Sequence, residues 1–226
     1  MKPDIILIGG GNHAHYSIDI IEKEDKYNIL GIIDSVQEVG SIRFGYPILG
    51  RQEDIKDIIK NYSDPRCPVG GLITMGDNWS RYYVRQQIEQ LVPGFPWFNA
   101  IHPSVIIGND VQLGHGIIAM AGVIFNPKSV IKDFTFFATG AQIEHDCMIR
   151  EYASVSAGST MGGFVDLGRF SAITLGVTIA DRIKIGENSV IGAGSLVLKD
   201  IPDNILAYGS PAKFIRNREQ GERFLK

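Results

Sequence analysis

Cysteine is scarce in this chain of 226 residues: only Cys67 and Cys147 occur, and neither belongs to a CxxC pair. A disulfide framework or a cysteine-rich metal site is therefore not expected, and a reducing cytoplasm is the expected location. No apolar run approaches the roughly 18 residues that span a bilayer. The start, Met1-Lys2-Pro3-Asp4, lacks the apolar region of a signal peptide, so no secretory leader is expected.

Positive charge is not in excess either. Lysine and arginine total 22 against 25 aspartates and glutamates, which leaves a net charge of −3, and no basic block occurs. Nucleic acids and anionic membranes are therefore not expected as partners.

Glycine, by contrast, is abundant at 26 residues, and the second half of the chain repeats with a period of six. Every sixth residue from Ile107 to Val197 is apolar, and the residue two places before each is small or β-branched. A period of six fits neither a helix nor a simple alternating strand. It is typical of a hexapeptide parallel β-helix, in which three short strands and three turns make one coil.

The first hundred residues follow another pattern. Strand-like and helix-like segments alternate, which predicts a small parallel sheet with helices. We expect a Rossmann-like domain over 1–101 and a β-helix domain over 102–226, whose tail after Val197 is a short helix or a loose end. The predicted strands are 4–9, 28–34, 72–75 and 97–101, and the predicted helices are 14–23, 53–62 and 80–91.

A glycine-rich motif, Gly9-Gly10-Gly11-Asn12-His13-Ala14, follows the first strand and opens the first helix. Such a turn lets main-chain amides approach a pyrophosphate, and Asp34 after the second strand can accept hydrogen bonds from a ribose or base. The literal interpretation is NAD binding, but about 100 residues are too few for a full dinucleotide domain. A nucleotide diphosphate is the better candidate, and a glycine turn without a ligand is the alternative.

A second polar group follows the third strand. Gly76, Asn78 and Arg81 would lie beside the glycine loop at the carboxyl edge of the sheet and could contact the same ligand. The alternative is an ordinary helix N-cap at Asp77 or Asn78.

The third motif is Glu144-His145-Asp146, which follows an inward-facing isoleucine on the repeat and so occupies an exposed corner. Asp146 could hold one ring nitrogen of His145 and make the other a better base. A polar turn with no chemistry is the alternative.

Cys147 occupies an inward position and is interpreted as a packed thiol. A three-histidine zinc site is not expected, because His115 and His145 are five hexads apart with no third histidine between or after them.

Over its whole length the chain resembles the bacterial nucleotide-sugar acetyltransferases that join a small Rossmann-like domain to a left-handed β-helix. This family includes sialic acid O-acetyltransferase-like enzymes and the UDP-4-amino-sugar and GDP-perosamine N-acetyltransferases. The hexads carry the resemblance together with six further segments: Ile8-Gly-Gly-Gly-Asn-His13, Ile33-Asp34, Met75-Gly-Asp-Asn78, Ile101-His-Pro-Ser104, Ile143-Glu-His-Asp-Cys147 and Tyr208-Gly-Ser-Pro-Ala-Lys213.

The resemblance implies a homotrimer with acetyl-CoA in the groove between neighbouring β-helices and a UDP-, GDP- or dTDP-linked amino sugar on the N-terminal domain. It implies that His145 is the catalytic base, that Asp146 orients its ring, that His13 approaches the sugar and that Asp34 binds the nucleotide. It implies these cofactor-binding positions: Ser154, where some relatives have a histidine, Gly163, Ala193, Gly194 and Lys213.

The expected reaction is direct acetyl transfer to a sugar amine in bacterial surface glycan biosynthesis, such as that of lipopolysaccharide O-antigen. A main-chain N–H at a glycine is expected to stabilise the oxyanion. O-acetylation of a sugar hydroxyl and a non-catalytic nucleotide-binding trimer are the alternatives. The nucleobase, the sugar and the acyl chain length are not determined by the sequence.

Overall fold

The computed structural model describes residues 2–62 and 67–224. The chain divides into two units: the first holds the residues up to Gly76 together with Ser80–Pro103, and the second holds Asp77–Trp79 together with the residues from Ser104 onward. The main division therefore lies two residues beyond the expected boundary. The assignment of Asp77–Trp79 to the second unit has no counterpart in the sequence analysis.

The first unit alternates strands and helices, as its sequence pattern predicts. Its elements are β1 (Asp4–Ile8), α1 (Asn12–Glu24), β2 (Asn28–Ile33), β3 (Ile42–Arg43), β4 (Tyr46–Gly50), a 3-10 turn (Gln52–Asp54), α2 (Ile55–Tyr62), β5 (Val69–Ile73), α3 (Asn78–Leu91, whose first two residues group with the second unit) and β6 (Ala100–Ile101). The sheet order is β3-β4-β2-β1-β5.

Strands β4, β2, β1 and β5 pair in parallel, and β1, which has a strand on each side, is buried from Ile5 to Ile8. Strands covered on both faces read as continuous aliphatic runs, which explains why β1 was visible in the sequence. Two expectations were wrong. Residues 42–50 form a hairpin that was not predicted, and the strand expected over 97–101 is confined to Ala100–Ile101.

The second unit is a parallel β-helix made of sixteen two-residue strands. These are β7 (Ile106–Ile107), β8 (Gln112–Leu113), β9 (Ile118–Ala119), β10 (Ile124–Phe125), β11 (Val130–Ile131), β12 (Phe136–Phe137), β13 (Gln142–Ile143), β14 (Met148–Ile149), β15 (Ser154–Val155), β16 (Thr160–Met161), β17 (Asp166–Leu167), β18 (Ala172–Ile173), β19 (Thr178–Ile179), β20 (Lys184–Ile185), β21 (Val190–Ile191) and β22 (Leu196–Val197). Every third strand pairs in parallel, so three sheets make the three faces.

The predicted inward positions are confirmed from Ala119 to Val197, because the second residue of every strand from β9 to β22 is at most 2% exposed. In the first coil the prediction was wrong for Ile107, which is 47% exposed. The corners between strands repeat with the same period. One residue in each corner has a positive φ, at six-residue steps from Asp110 to Gly194. This left-handed conformation turns the chain sharply, and glycine adopts it without the steric penalty that a Cβ brings.

The three corner columns differ in chemistry. One carries glycine in five successive coils: Gly122, Gly140, Gly158, Gly176 and Gly194. A second carries a ladder of buried rings in which Phe134, Tyr152 and Phe170 stack at centroid distances of 5.2 and 5.1 Å, and Trp79 adds a fourth ring at 3.9 Å. The third column contains His145.

The tail after Val197 is neither a helix nor a loose end. It forms a hairpin of β23 (Ile205–Gly209) and β24 (Ala212–Asn217), and β23 pairs in parallel with β21. The last coil offers unpaired main-chain groups, and this added strand satisfies them.

Within residues 2–62 and 67–224, no helix combines the length and the apolar character that crossing a bilayer would require. The same residues contain no group of three or more histidine, cysteine, aspartate or glutamate side chains arranged to hold a metal ion.

Candidate active site

His145 and Asp146 form a hydrogen-bonded pair at the corner between β13 and β14. The Nδ1 atom of His145 lies 2.9 Å from Oδ2 of Asp146, and the two side chains are 51% and 34% exposed. Asp146 has a φ of 57°, so the corner turn itself aims the carboxylate back towards the preceding ring. A carboxylate on Nδ1 assigns the proton to that nitrogen and leaves Nε2 as the acceptor.

The Nε2 face of His145 lies over Gly163, which occupies the same corner one coil later. A Cβ atom at position 163 would lie 2.8 Å from both Cε1 and Nε2 of the ring. The missing side chain therefore makes the space in which the imidazole sits. Nε2 itself has no hydrogen-bond partner among the described residues, so it is free to accept a proton.

An aromatic side chain holds the ring from another direction. Phe164 contacts His145 edge-to-face at a centroid distance of 5.2 Å, and the guanidinium of Arg182 lies 4.3 Å above the Phe164 ring. Phe164 is nevertheless 43% exposed, so it borders the free side of the site. Phe164 was not predicted as a site residue, although it lies 18 residues after Asp146, and a spacing of 18 residues puts two side chains at the same corner of neighbouring coils.

The main-chain amide of Gly163 is already used. It donates a hydrogen bond of 2.9 Å to Oδ1 of Asp181, the corner residue one coil further on. The expected contact of this amide with acetyl-CoA would therefore require that hydrogen bond to be broken. The contribution of Gly163 to the site is space for His145.

Cys147 follows the pair but cannot act as an acyl carrier. It is 1% exposed, its Sγ donates to the carbonyl of Gly162 at 3.2 Å, and burial raises the pKa of its thiol to about 11. The predicted packed thiol is confirmed.

The other expected cofactor positions fall into two groups. Ala193, Gly194 and Lys213 are exposed. The corner column of five glycines that ends at Gly194, called the glycine corner below, is open: at four of these glycines a Cβ would meet no atom within 4 Å. Ser154, in contrast, is 2% exposed, and its Oγ has no hydrogen-bond partner among the described residues. Its burial does not favour a cofactor contact, because the neighbouring side chains would have to move first.

In the first unit, the glycine loop follows β1 as predicted. Gly9 has a φ of 112°, which strongly favours glycine. Gly11 precedes α1, and a Cβ there would meet no atom within 4 Å; Asn12 is exposed beside it. The loop therefore presents an open main-chain surface at the start of α1.

The carboxylate of Asp34 already accepts hydrogen bonds from the protein itself. It accepts hydrogen bonds from the main-chain amides of Gly10, Val36 and Gln37 at 2.5, 2.8 and 2.9 Å. Burial alone would raise the pKa of Asp34, but these amides and the charge of Arg51 outweigh it and lower the pKa. Asp34 therefore clamps the glycine loop to the end of β2, and the contact of its carboxylate with a ribose or base stays a prediction.

His13 is half-buried beside Tyr16, with ring centroids 6.1 Å apart. Burial and the charge of Arg81 lower the pKa of His13, so its ring is neutral at neutral pH. A neutral imidazole can both donate to and accept from a sugar hydroxyl.

Asn78 and Arg81 were expected to lie at the ligand beside the glycine loop, but both side chains are almost completely buried. Asn78 Nδ2 donates to the carbonyls of Phe170 and Ser171, and Arg81 Nη1 donates to those of Met75 and Gly76. These side chains fix main-chain segments and do not present free donors to a ligand. Gly76 is buried with them.

The chain is similar to one described domain family and to several proteins of known structure. Residues 4–88 match the family described as the PglD N-terminal domain. PerB from Caulobacter crescentus, whose crystal structure holds CoA and GDP-perosamine, is 29% identical with a TM-score of 0.85 over 94% of this chain and 97% of that chain. The acetyltransferase domain of PglB from Neisseria gonorrhoeae, in complex with acetyl coenzyme A, is 25% identical with a TM-score of 0.83 over 95% and 100%. The predicted left-handed β-helix fold is confirmed.

Serine acetyltransferases are among the curated relatives. A serine acetyltransferase of Buchnera aphidicola is 30% identical over 225 residues, which cover 92% of this chain and 77% of that protein. Serine acetyltransferase 2 of Arabidopsis thaliana is 32% identical over 123 residues. The chain spans 28% to 60% of the length of the first five curated relatives.

Proposed function

This chain belongs to the left-handed β-helix (hexapeptide-repeat) acyltransferases with a PglD-type N-terminal domain, and on that premise we propose that it transfers the acetyl group of acetyl-CoA to the amine of a nucleotide-linked sugar. The observation that carries the proposal is the exposed His145–Asp146 pair, whose ring occupies the space above Gly163 and whose Nε2 has no hydrogen-bond partner among the described residues.

The chemistry follows from that pair. A sugar ammonium must lose one proton before or during its attack on a thioester, and His145 Nε2 accepts it. Asp146 keeps the other ring proton on Nδ1 and stabilises the imidazolium that forms. The new bond joins the amine nitrogen to the acetyl carbon, and the carbon–sulfur bond breaks. The CoA sulfur leaves as a thiolate, which takes up the second proton that the nitrogen loses as the amide forms.

Transfer is direct from acetyl-CoA to the amine. A covalent acyl-enzyme would need an activated nucleophile within reach of His145. The neighbouring thiol, Cys147, is buried and protonated. The proposed reaction therefore takes place in a ternary complex, with acetyl-CoA and the amino sugar bound at the same time.

Acetyl-CoA fits a groove bounded by the glycine corner. Four of its five glycines have open space where a Cβ would be, so an extended pantetheine chain can lie against the main chain there. Ala193 and Gly194 would contact this chain and Lys213 the phosphates. A homotrimer, in which neighbouring β-helices complete the groove, is part of the proposal. Light scattering coupled to gel filtration would then give about three times the 24.9 kDa chain mass.

The acceptor would be held by the first unit. Its match to the PglD N-terminal domain and the likeness to PerB, crystallised with GDP-perosamine, support a nucleotide-linked 4-amino-4,6-dideoxy sugar. Gly11 and Asn12 would approach the nucleotide and His13 the sugar. Such acetylated sugars serve surface glycans, and the two unpaired cysteines agree with reaction in the cytoplasm.

Activity measurements test the role of the pair. CoA release is followed with acetyl-CoA and a panel of UDP-, GDP- and dTDP-linked amino sugars, using the wild type and His145→Ala. We expect the variant to lose about 10²- to 10⁴-fold in kcat, the usual contribution of a general base. His115→Ala is the matched control, because His115 is also an exposed corner residue. Near-full activity of His145→Ala would remove it from the base role.

O-acetylation is the second candidate, and the curated serine acetyltransferases are the observation that favours it. The same base could deprotonate a hydroxyl. Product analysis by mass spectrometry with matched 4-amino and 4-hydroxy sugars separates the two, since only the correct acceptor is consumed at an appreciable rate.

A further inference from the structure

The hairpin β3–β4, absent from the sequence analysis, brings a cation to the glycine loop. Its turn residues Phe44 and Gly45 both have a positive φ, of 50° and 87°. A phenylalanine rarely adopts this conformation, so the surroundings must hold it. The Phe44 ring stacks on His15 of α1 at 4.8 Å with an interplanar angle of 3°. The tip of the hairpin is thus fixed against the first helix.

Arg43 precedes this turn and is held from two sides. Its Nε donates to the carbonyl of Gly10 at 3.1 Å, and its guanidinium carbon lies 4.4 Å above the Phe44 ring. Neither of its terminal amino groups has a hydrogen-bond or ion-pair partner among the described residues. The guanidinium is therefore positioned at the glycine loop with its bidentate edge unused.

Among the described residues, neither Arg43 nor Arg51 has a carboxylate oxygen within ion-pair distance. Arg51 is anchored like Arg43, with Nη1 donating to the carbonyl of Asp34 at 2.7 Å. The nearby carboxylate, that of Asp34, is occupied by three main-chain amides. Two guanidinium groups are thus bound to carbonyl oxygens at the ends of β1 and β2.

The same contacts change which group can bind a phosphate. A glycine loop of this type normally offers its amides to a pyrophosphate, but here the Gly10 amide donates to Asp34. A planar guanidinium with two free, parallel N–H groups is well suited to replace it, because it matches the geometry of phosphate oxygens.

We propose that Arg43 binds the diphosphate of the nucleotide sugar and thereby selects nucleoside diphosphates over nucleosides. This inference rests on the proposed function, since it names the residue that holds the charged part of that acceptor. Arg43 is a binding residue here and takes no part in the proton transfer at His145.

Calorimetric titration of the full chain tests the proposal. Wild type, Arg43→Gln and Arg43→Lys are titrated with UDP, GDP and dTDP and with the corresponding nucleosides. Arg43→Gln should weaken binding of the preferred diphosphate about 10- to 100-fold, as expected for a lost hydrogen bond to a charged group. Nucleoside binding should change less than about twofold, and Arg43→Lys should give an intermediate loss because it keeps the charge but not the fork.

Arg85→Gln is the matched control, since Arg85 lies on α3 and faces Glu89 at 3.8 Å. It should bind all ligands like the wild type, and the KM for acetyl-CoA should be unchanged in every variant. Equal weakening of nucleoside and diphosphate, or no weakening, would refute the role of Arg43. Should the wild type bind no nucleotide at all, the proposed function fails together with this inference. If Arg43→Gln does not fold, the Arg43→Lys titration decides alone.

Discussion

Replacing Gly163 by alanine should disable the active site without unfolding the protein. The new Cβ would lie 2.8 Å from Cε1 and Nε2 of His145, closer than carbon atoms pack in folded proteins. The crowded atoms belong to a half-exposed side chain and not to the main chain, so the ring can move away. Moving it breaks or lengthens the hydrogen bond between His145 Nδ1 and Asp146 and displaces Nε2.

The size of the effect follows from the displacement. Relieving the contact requires a shift of the ring on the order of 1 Å, and misplacement by that distance costs about 100-fold in rate. This corresponds to about 2.7 kcal/mol at 1.36 kcal/mol per factor of ten. Stability should change little, because Gly163 does not have a positive φ and alanine tolerates its conformation.

Gly162→Ala provides the contrast one residue earlier. Its Cβ would meet the main-chain nitrogen of Asp181 at 2.7 Å and the carbonyl carbon of Ala180 at 3.0 Å. Main-chain atoms of the next coil cannot give way as a side chain does, so this variant should unfold at a clearly lower temperature. The assay therefore measures kcat, the KM values and Tm for both variants.

A double-mutant cycle with His145→Ala completes the test. If Gly163 acts only through the imidazole, Gly163→Ala should have almost no further effect on kcat once the ring is absent. The reasoning is refuted if Gly163→Ala keeps wild-type kcat, or if its loss is fully retained in the His145→Ala background.

Two further predictions concern ionisable groups away from the pair. In a Cys67→Ser background, Cys147 should not react with a disulfide reagent at pH 8 until the chain is unfolded, because its raised pKa keeps the thiol protonated; rapid modification of the native protein would contradict this. The lowered pKa of Asp34 means that its carboxylate stabilises the folded state fully above its unfolded value of about 4, and that this contribution is lost as the pH falls through the lower folded value. The Tm difference between wild type and Asp34→Asn should therefore be constant from pH 8 to 5 and shrink below pH 4, and a difference independent of pH would exclude this explanation.

Much of the fold could be predicted because its signals are local and repeated. Each hexad places one apolar residue inside the β-helix, so a period of six appears directly in the sequence, and the second residue of every strand from β9 to β22 follows it. The same register put His145 at an exposed corner with Asp146 beside it. The hairpins were missed, since β3 has only two residues and β24 is an edge strand that is exposed along most of its length and shows no alternation.

The roles of individual polar residues required the tertiary structure, because they depend on contacts between residues far apart in the chain. The sequence shows Asp34 after a strand but not that three amides occupy its carboxylate. It shows Asn78 and Arg81 at the start of a helix but not that both are buried on carbonyl groups. Gly163 and Arg43 acquire their meaning in the same way, from a ring one coil away and from a carbonyl 33 residues away. The order of residues determined the β-helix and its corner histidine, whereas packing alone decided which groups remain free to meet a ligand.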